Sequence, residues 1–154
     1  IKSVQYLKQK KWKLVLVGKG KWKKYLNFAS EENREKITHL EPIDEIEKLY
    51  AAADIFILPS IYEPFGNANL EALASGLPII TSRNCGVAEI ITPKKEGIIL
   101  EESSDSKAMA KAIDYLMDSK NREPMRQSAR LLAEKFTQER NAFEMLKIYQ
   151  ELIE

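Results

Sequence analysis

Two glutamates and the short segment between them are the residues of this sequence most suited to chemistry. Glu63 and Glu71 flank a stretch in which Gly66 and Asn67 precede a helical pattern, with Asn67 expected at the N-cap. Free backbone N–H groups at a helix start, together with the helix dipole, favour an anion such as phosphate. Ionised carboxylates only accept hydrogen bonds, and sugar or ribose hydroxyls are natural donors to them. The combination matches a sugar–diphosphate–nucleoside.

Each glutamate taken alone also has an ordinary structural explanation. A carboxylate about one turn into a helix, where we expect Glu71, stabilises the helix dipole by ~0.3–1 kcal/mol. Glu63 by itself would be a loop carboxylate. The placement of both around one anion site favours the functional interpretation.

Apolar runs and helical patterns alternate along the chain and must position these residues. Continuous apolar runs are typical of strands buried on both faces of a parallel sheet. Such runs occupy 14–17, 55–58, 77–80 and 97–100, with a weaker candidate at 37–40. Helical periodicity covers 43–50 and 70–77, and it dominates from 105 onwards, with one helix expected to start at Asn121. The order predicts an α/β fold with a doubly wound, Rossmann-like parallel sheet and a helical C-terminal tail.

The first apolar run ends in a glycine turn, Gly18-Lys-Gly20. Ligands of doubly wound sheets bind beyond the carboxyl ends of the strands, and such a turn lets backbone approach a phosphate closely. A tight turn before a helix is the simpler explanation, because Lys23 stands where the dinucleotide fingerprint requires a third glycine. Lysines at 19, 21, 23 and 24 either attract a diphosphate or form a solvated face.

Composition sets the broad class of protein. The 154 residues suffice for one domain, and 24 Lys and Arg against 23 Asp and Glu give a net charge of +1, which argues against a general nucleic-acid binder. No apolar run approaches the ~20 residues of a membrane-spanning helix. Cys85 is the only cysteine, so no intrachain disulfide can form, and a reducing, cytoplasmic location is expected.

The segment AAADIFILPSIYEPFGNANLEALASG, residues 51–76, resembles the retaining GT-B glycosyltransferases that carry an E-x7-E signature. This large family of nucleotide-sugar transferases is called family 4, or glycosyl transferases group 1. Glu63 and Glu71 match the two glutamates of the signature. The likeness extends from about Leu14 to Leu100 and includes the strand and glycine turn at 13–20 and the segments 85–91 and 96–100.

The resemblance implies roles for particular residues. The first glutamate, Glu63, would contact donor-sugar hydroxyls and serve as the catalytic-site residue, and the second, Glu71, would bind the ribose hydroxyls. Backbone groups between them would hold the diphosphate and sugar, with Gly18 near the donor. The implied backbone set is Phe65, Gly66, Asn67 and Ala68. Asn67 and Asn69 are more polar than the family pattern, which suggests added side-chain contacts to the donor.

Residues 1–154 therefore read as a single nucleotide-sugar-binding domain, one half of a GT-B fold. The family's phosphate-binding Arg and Lys have no match before the first strand, and no acceptor-binding N-terminal domain is present, so an excised C-terminal half is expected. The implied function is transfer of a hexose-type sugar from a UDP- or GDP-linked donor to a glycan or lipid-linked acceptor in bacterial surface polysaccharide or lipopolysaccharide synthesis. No metal or other cofactor is expected, and membrane association would come only through the absent half.

Other readings remain open at the level of sequence. One is a sugar-nucleotide epimerase of GT-B fold, and another is a non-catalytic Rossmann-like module that binds a partner protein. His39, the only histidine, suits a strand or core position better than a general base. Cys85 lies in a loop that opens a helix, and without a partnering Cys or His it suits an incidental role.

Overall fold

A computed structural model describes residues 1–153, and its five strands form two parallel sheets. Strand β1 (Leu14–Val17) pairs with β2 (Ile37–Leu40) in one sheet. In the other, β4 (Ile79–Ser82) lies between β3 (Phe56–Leu58) and β5 (Gly97–Leu100). The predicted α/β class with parallel strands is confirmed, while the strands are divided between a two-stranded and a three-stranded sheet.

Strand β4 is shifted two residues later than its apolar run predicts. Pro78 has no N–H for a strand ladder, although its carbonyl accepts a hydrogen bond from the Phe56 amide at 3.1 Å. The polar residues Thr81 and Ser82 extend the strand instead and are fully buried. Their hydroxyls replace water contacts, because Thr81 Oγ1 donates to the Leu58 carbonyl at 3.3 Å and Ser82 Oγ donates to the Ser60 carbonyl.

Six α-helices and three 3-10 segments connect and follow the strands within residues 1–153. The helices are α1 (Glu31–Arg34), α2 (Ile46–Ala52), α3 (Asn67–Ala74), α4 (Ser106–Met117), α5 (Ser119–Ala133) and α6 (Gln138–Glu151). The 3-10 segments are Lys2–Tyr6, Trp22–Phe28 and Gly86–Glu89. Helical content after residue 105 agrees with the predicted tail.

Two predicted helix boundaries are wrong. Helix α5 starts before Asn121, because the Asp118 side chain accepts a hydrogen bond from the Lys120 amide at 2.9 Å and caps it there. Helix α3 ends before Leu77. Gly76 adopts φ +74°, its amide bonds the Leu73 carbonyl, and the Leu77 amide bonds the Ala72 carbonyl, which is a Schellman ending.

The core lies on both faces of the three-stranded sheet and fixes α3 against it. One buried cluster joins α3 to β4 and α5 through Leu73, Leu77, Ile79 and Ala129, among others. A second cluster packs α4 and α5 on the opposite face around Ile80. The two-stranded sheet is less covered, since Val15 and Val17 are 39% and 41% exposed. None of the helices in residues 1–153 has the length and apolarity that a membrane span requires.

Candidate functional site

The loop that carries Glu63 is held in place by the segment that follows β4. The Glu63 amide donates to the Asn84 carbonyl at 3.2 Å, and the Glu63 carbonyl accepts from the Gly86 amide at 3.0 Å. The Val87 amide bonds the Phe65 carbonyl at 3.0 Å. Because both backbone groups of Glu63 are paired, its half-buried carboxylate projects from a fixed point of the chain.

Two glycines allow this close approach of backbone segments. Gly66 has φ +86°, and a Cβ there would lie 2.7 Å from Asn69 Nδ2 and 3.0 Å from Cys85 Sγ. A Cβ on Gly86 would lie 2.0 Å from the Pro64 carbonyl oxygen. Any larger side chain at either position would push the loop away from its support.

Helix α3 begins directly after Gly66, which is its N-cap, so the prediction of Asn67 as the N-cap is wrong. Asn67 is instead the first residue of the helix, because the left-handed conformation of Gly66 turns the chain one residue earlier. No side chain caps the helix, and the Gly66, Asn67 and Ala68 amides have no acceptor within residues 1–153. Unpaired N–H groups at a helix start favour anions, and the sequence predicted such groups at this position.

Glu71 is the fifth residue of α3, so it lies just beyond the first turn of the helix. The dipole explanation for this carboxylate loses its basis, because the helix-terminus effect falls off within one turn. Its side chain is exposed, and one oxygen, Oε2, accepts a hydrogen bond from the Tyr50 hydroxyl at 3.1 Å. This contact orients the carboxylate and leaves Oε1 open to a ligand.

Tyr50 belongs to the site although sequence reasoning assigned it only to an apolar helix stripe. It lies on α2, is buried, and packs its ring edge-on against Phe56 with centroids 5.7 Å apart. Burial, and secondly the hydrogen bond and charge of Glu71, raise the pKa of Tyr50 to about 12. The sequence signal that could have indicated this role is a tyrosine on the core-facing side of a helix, because its buried hydroxyl needs a hydrogen-bond partner.

Asn69 and Cys85 support the loop from below and do not face a ligand. Asn69 is fully buried, and its Nδ2 donates to Cys85 Sγ at 3.4 Å, so the suggested side-chain contact of Asn69 with a donor is wrong. The Cys85 thiol in turn donates to the Phe65 carbonyl at 3.3 Å. The Cys85 thiol therefore serves packing, which agrees with the structural interpretation.

Gly18 follows β1 of the two-stranded sheet, whereas the Glu63–Glu71 segment follows β3 of the three-stranded sheet. Gly18 lines a cavity of about 930 Å³ at the carboxyl ends of β1 and β3, and none of the other predicted site residues does. His39 Nε2 donates to the Gly18 carbonyl at 2.7 Å, and the His39 ring stacks on Trp22 with centroids 4.8 Å apart. His39 thus holds the glycine turn from its strand position.

Six of the seven predicted residues therefore come together in one loop and helix start: Glu63, Phe65, Gly66, Asn67, Ala68 and Glu71. The arrangement presents two carboxylates and three free amides at the carboxyl edge of the three-stranded sheet. No group of three or more potential metal ligands occurs in the part of the chain that the structure describes.

Comparison with known proteins identifies the family. Residues 1–132 match the family described as Glycosyl transferases group 1. The chain belongs to this family. The match confirms the resemblance to this family, and it favours a glycosyltransferase over a sugar-nucleotide epimerase.

Individual relatives of this glycosyltransferase-family chain agree with that assignment. Spore coat protein SA of Bacillus subtilis (strain 168) is 33% identical over 132 residues, which are 82% of this chain and 35% of the relative. WaaG, a glycosyltransferase involved in lipopolysaccharide biosynthesis, is 27% identical with a TM-score of 0.72 over 80% of this chain and 34% of its own. HepE of Anabaena in complex with UDP shares the fold at 19% identity, with a TM-score of 0.78 over 86% of this chain and 38% of its own. The chain spans 23% to 40% of the length of the first curated relatives it matches.

Proposed function

We propose that this chain is the donor-binding half of a retaining glycosyltransferase that uses a UDP- or GDP-linked hexose-type sugar. The observation that carries the proposal is the pair of carboxylates, Glu63 and Glu71, on either side of three unpaired amides at the start of α3. Family membership supports a glycosyl transfer reaction. The UDP complex of a protein with the same fold supports a nucleotide-linked donor.

Each part of the segment has a task in this proposal. The carboxylate of Glu63 accepts hydrogen bonds from donor-sugar hydroxyls and positions the anomeric carbon, and the amides of Phe65 to Ala68 face the sugar and diphosphate. Glu71, with one oxygen already held by Tyr50, accepts from the ribose hydroxyls through the other. Gly18 lies on the separate glycine turn and would approach the donor from the side of β1.

The reaction breaks the bond between the anomeric carbon and the diphosphate oxygen, which keeps the bonding electron pair, and forms a bond to an acceptor hydroxyl oxygen on the same face of the sugar. The proton of that hydroxyl leaves with the diphosphate. Negative charge develops on the leaving diphosphate. Fixed amide dipoles stabilise such charge without reorganising during the reaction. These dipoles, together with the Arg and Lys that the family carries before the first strand seen here, would offset the charge, so the proposal requires neither a metal ion nor another cofactor.

The acceptor is proposed to be a glycan or lipid-linked sugar of bacterial surface polysaccharide or lipopolysaccharide synthesis. The 27% identity with WaaG, described as involved in lipopolysaccharide biosynthesis, supports this choice. An N-terminal acceptor domain would complete the enzyme and provide any peripheral contact with the inner face of the cytoplasmic membrane. The 154-residue chain alone would bind the donor without turnover.

Two substitutions separate the proposed roles of the glutamates. In the full enzyme, Glu63→Gln is expected to lower turnover strongly, because an amide cannot replace a charged acceptor of two hydroxyl hydrogen bonds. Glu71→Ala is expected mainly to weaken donor affinity, measured by calorimetry with UDP and UDP-sugars against their GDP and ADP counterparts. Glu47→Gln on the exposed face of α2 is the matched control.

The outcomes assign or remove each role independently. Near-normal turnover of Glu63→Gln would remove Glu63 from the mechanism. Unchanged donor affinity of Glu71→Ala would contradict the ribose assignment. Failure of the full enzyme to bind any of these nucleotides would favour a non-catalytic module.

A further inference from the structure

We infer that the cavity beside the glycine turn binds a phosphate-bearing ligand through Lys19, Lys21 and Lys24. The inference rests on the proposed function, because the donor of that function is one of two possible sources of the phosphate, and a sugar phosphate that is not a nucleotide is the other. The inference concerns residues other than the Glu63–Glu71 segment, none of which lines this cavity.

The charge of the cavity is the first reason. Four lysines line it, Lys2, Lys19, Lys21 and Lys24, and no aspartate or glutamate is among the lining residues. Across residues 1–153, none of these four lysines takes part in a salt bridge. A concave surface with charge of one sign concentrates ligands of the opposite sign.

The geometry of the turn is the second reason. Gly18 and Gly20 have φ +123° and +148°, and open space surrounds both, so glycine serves the backbone conformation and leaves the turn accessible. The hydrogen bond from His39 to the Gly18 carbonyl and the stacking of Trp22 on His39 hold this turn against β2. A turn fixed in this way presents its lysines from a defined position and lowers the ordering cost of binding.

The location and size of the cavity are the third reason. It lies at the carboxyl ends of parallel strands, next to Gly18 after β1 and Pro59 after β3, where α/β sheets bind ligands. Ser103, Ser104 and Ser106 line it as well and offer hydroxyl donors. Its volume of about 930 Å³ holds a sugar phosphate or a nucleotide.

The run of lysines contains its own control. Lys23 is exposed in the same 3-10 segment as Lys24, yet it does not line the cavity. A lysine that acts only through general attraction would matter as much at 23 as at 24, whereas a lysine that contacts the ligand matters only if it lines the cavity.

The test measures binding of UDP and of glucose 6-phosphate to the 154-residue chain by calorimetry at 150 mM salt. Lys24→Ala is compared with Lys23→Ala, which removes the same charge, and we expect Lys24→Ala to weaken binding more. The combined variant Lys19→Ala, Lys21→Ala and Lys24→Ala is compared with Glu71→Ala. We expect the triple variant to bind at least one probe about tenfold more weakly, equivalent to ~1.4 kcal/mol. Lys23→Ala should bind both probes within about twofold of the unmodified chain. The substituted lysines are all exposed, so circular dichroism is expected to show unchanged folding: Lys19, Lys21, Lys23 and Lys24.

The two probes distinguish the source of the phosphate. Loss of UDP affinity in both the triple variant and Glu71→Ala assigns it to the donor. Loss of glucose 6-phosphate affinity in the triple variant alone assigns it to a sugar phosphate that is not a nucleotide donor. Unchanged affinity of the triple variant for both probes, a loss in Lys23→Ala equal to that in Lys24→Ala, or no binding of either probe to the unmodified chain would overturn the inference. If Glu71→Ala alone weakens UDP binding, the inference fails while the proposed function stands.

Discussion

Replacing Gly66 by alanine is expected to destabilise the protein and to disrupt the loop that presents Glu63. The left-handed backbone at φ +86° costs a residue with a Cβ about 1–2 kcal/mol. The new methyl group would also meet Asn69 Nδ2 at 2.7 Å and Cys85 Sγ at 3.0 Å, both of buried residues, and overpacking of this kind costs about 1–3 kcal/mol. The sum is a loss of about 2–5 kcal/mol in the free energy of unfolding, measured by urea denaturation.

Gly76→Ala separates the two contributions. Gly76 also has a positive φ, +74°, but its added Cβ would have its nearest contact at 3.5 Å, with the Arg126 carbonyl. This control carries only the backbone cost, so Gly66→Ala should be the more destabilising variant by about 1–3 kcal/mol. Equal or smaller destabilisation by Gly66→Ala would refute the close packing of Gly66 against Asn69 and Cys85.

Further predictions concern the support of the site. In urea denaturation, Gly86→Ala should be more destabilising than Gly66→Ala, because its Cβ would lie 2.0 Å from the Pro64 carbonyl oxygen, a backbone atom that cannot rotate away. A milder effect would contradict the close approach of Gly86 to Pro64. In an absorbance titration, one of the six tyrosines should ionise near pH 12, and this titration step should be absent in Tyr50→Phe. Since the raised pKa means that the folded state holds the phenol proton more tightly, its stabilisation is complete below pH about 10 and is lost as pH rises to about 12. Tyr50→Phe should therefore lose less stability than the unmodified chain over this interval, and equal losses would contradict the raised pKa of Tyr50.

The strands and the order of the site residues were predictable because their causes are local. Strand β5 appears as a continuous apolar run because it lies in a covered parallel sheet, and β1 appears as such a run although Val15 and Val17 are 39% and 41% exposed. The Glu63–Glu71 spacing is a property of one contiguous segment. The displacement of β4 was not predictable from apolarity, since Thr81 and Ser82 are buried only because carbonyls of β3 and its following loop accept their hydroxyls.

Contacts between distant residues account for the rest of the differences. Tyr50 reaches Glu71 across 21 positions, and Asn69 reaches Cys85 across 16, so no periodicity relates either pair. The choice of Gly66 over Asn67 as N-cap depends on a backbone angle that the support of Gly86 and Val87 makes possible.

Titration of the ¹⁵N-labelled chain with UDP, followed by amide NMR shifts, tests the central claim most directly. If the start of α3 binds the diphosphate and Glu71 the ribose, the largest shifts should fall on the amides of Phe65, Gly66, Asn67, Ala68 and Glu71, and Glu71→Ala should reduce them. Saturable shifts confined to other parts of a folded chain, or none at UDP concentrations that saturate the full enzyme, would contradict donor binding at this segment.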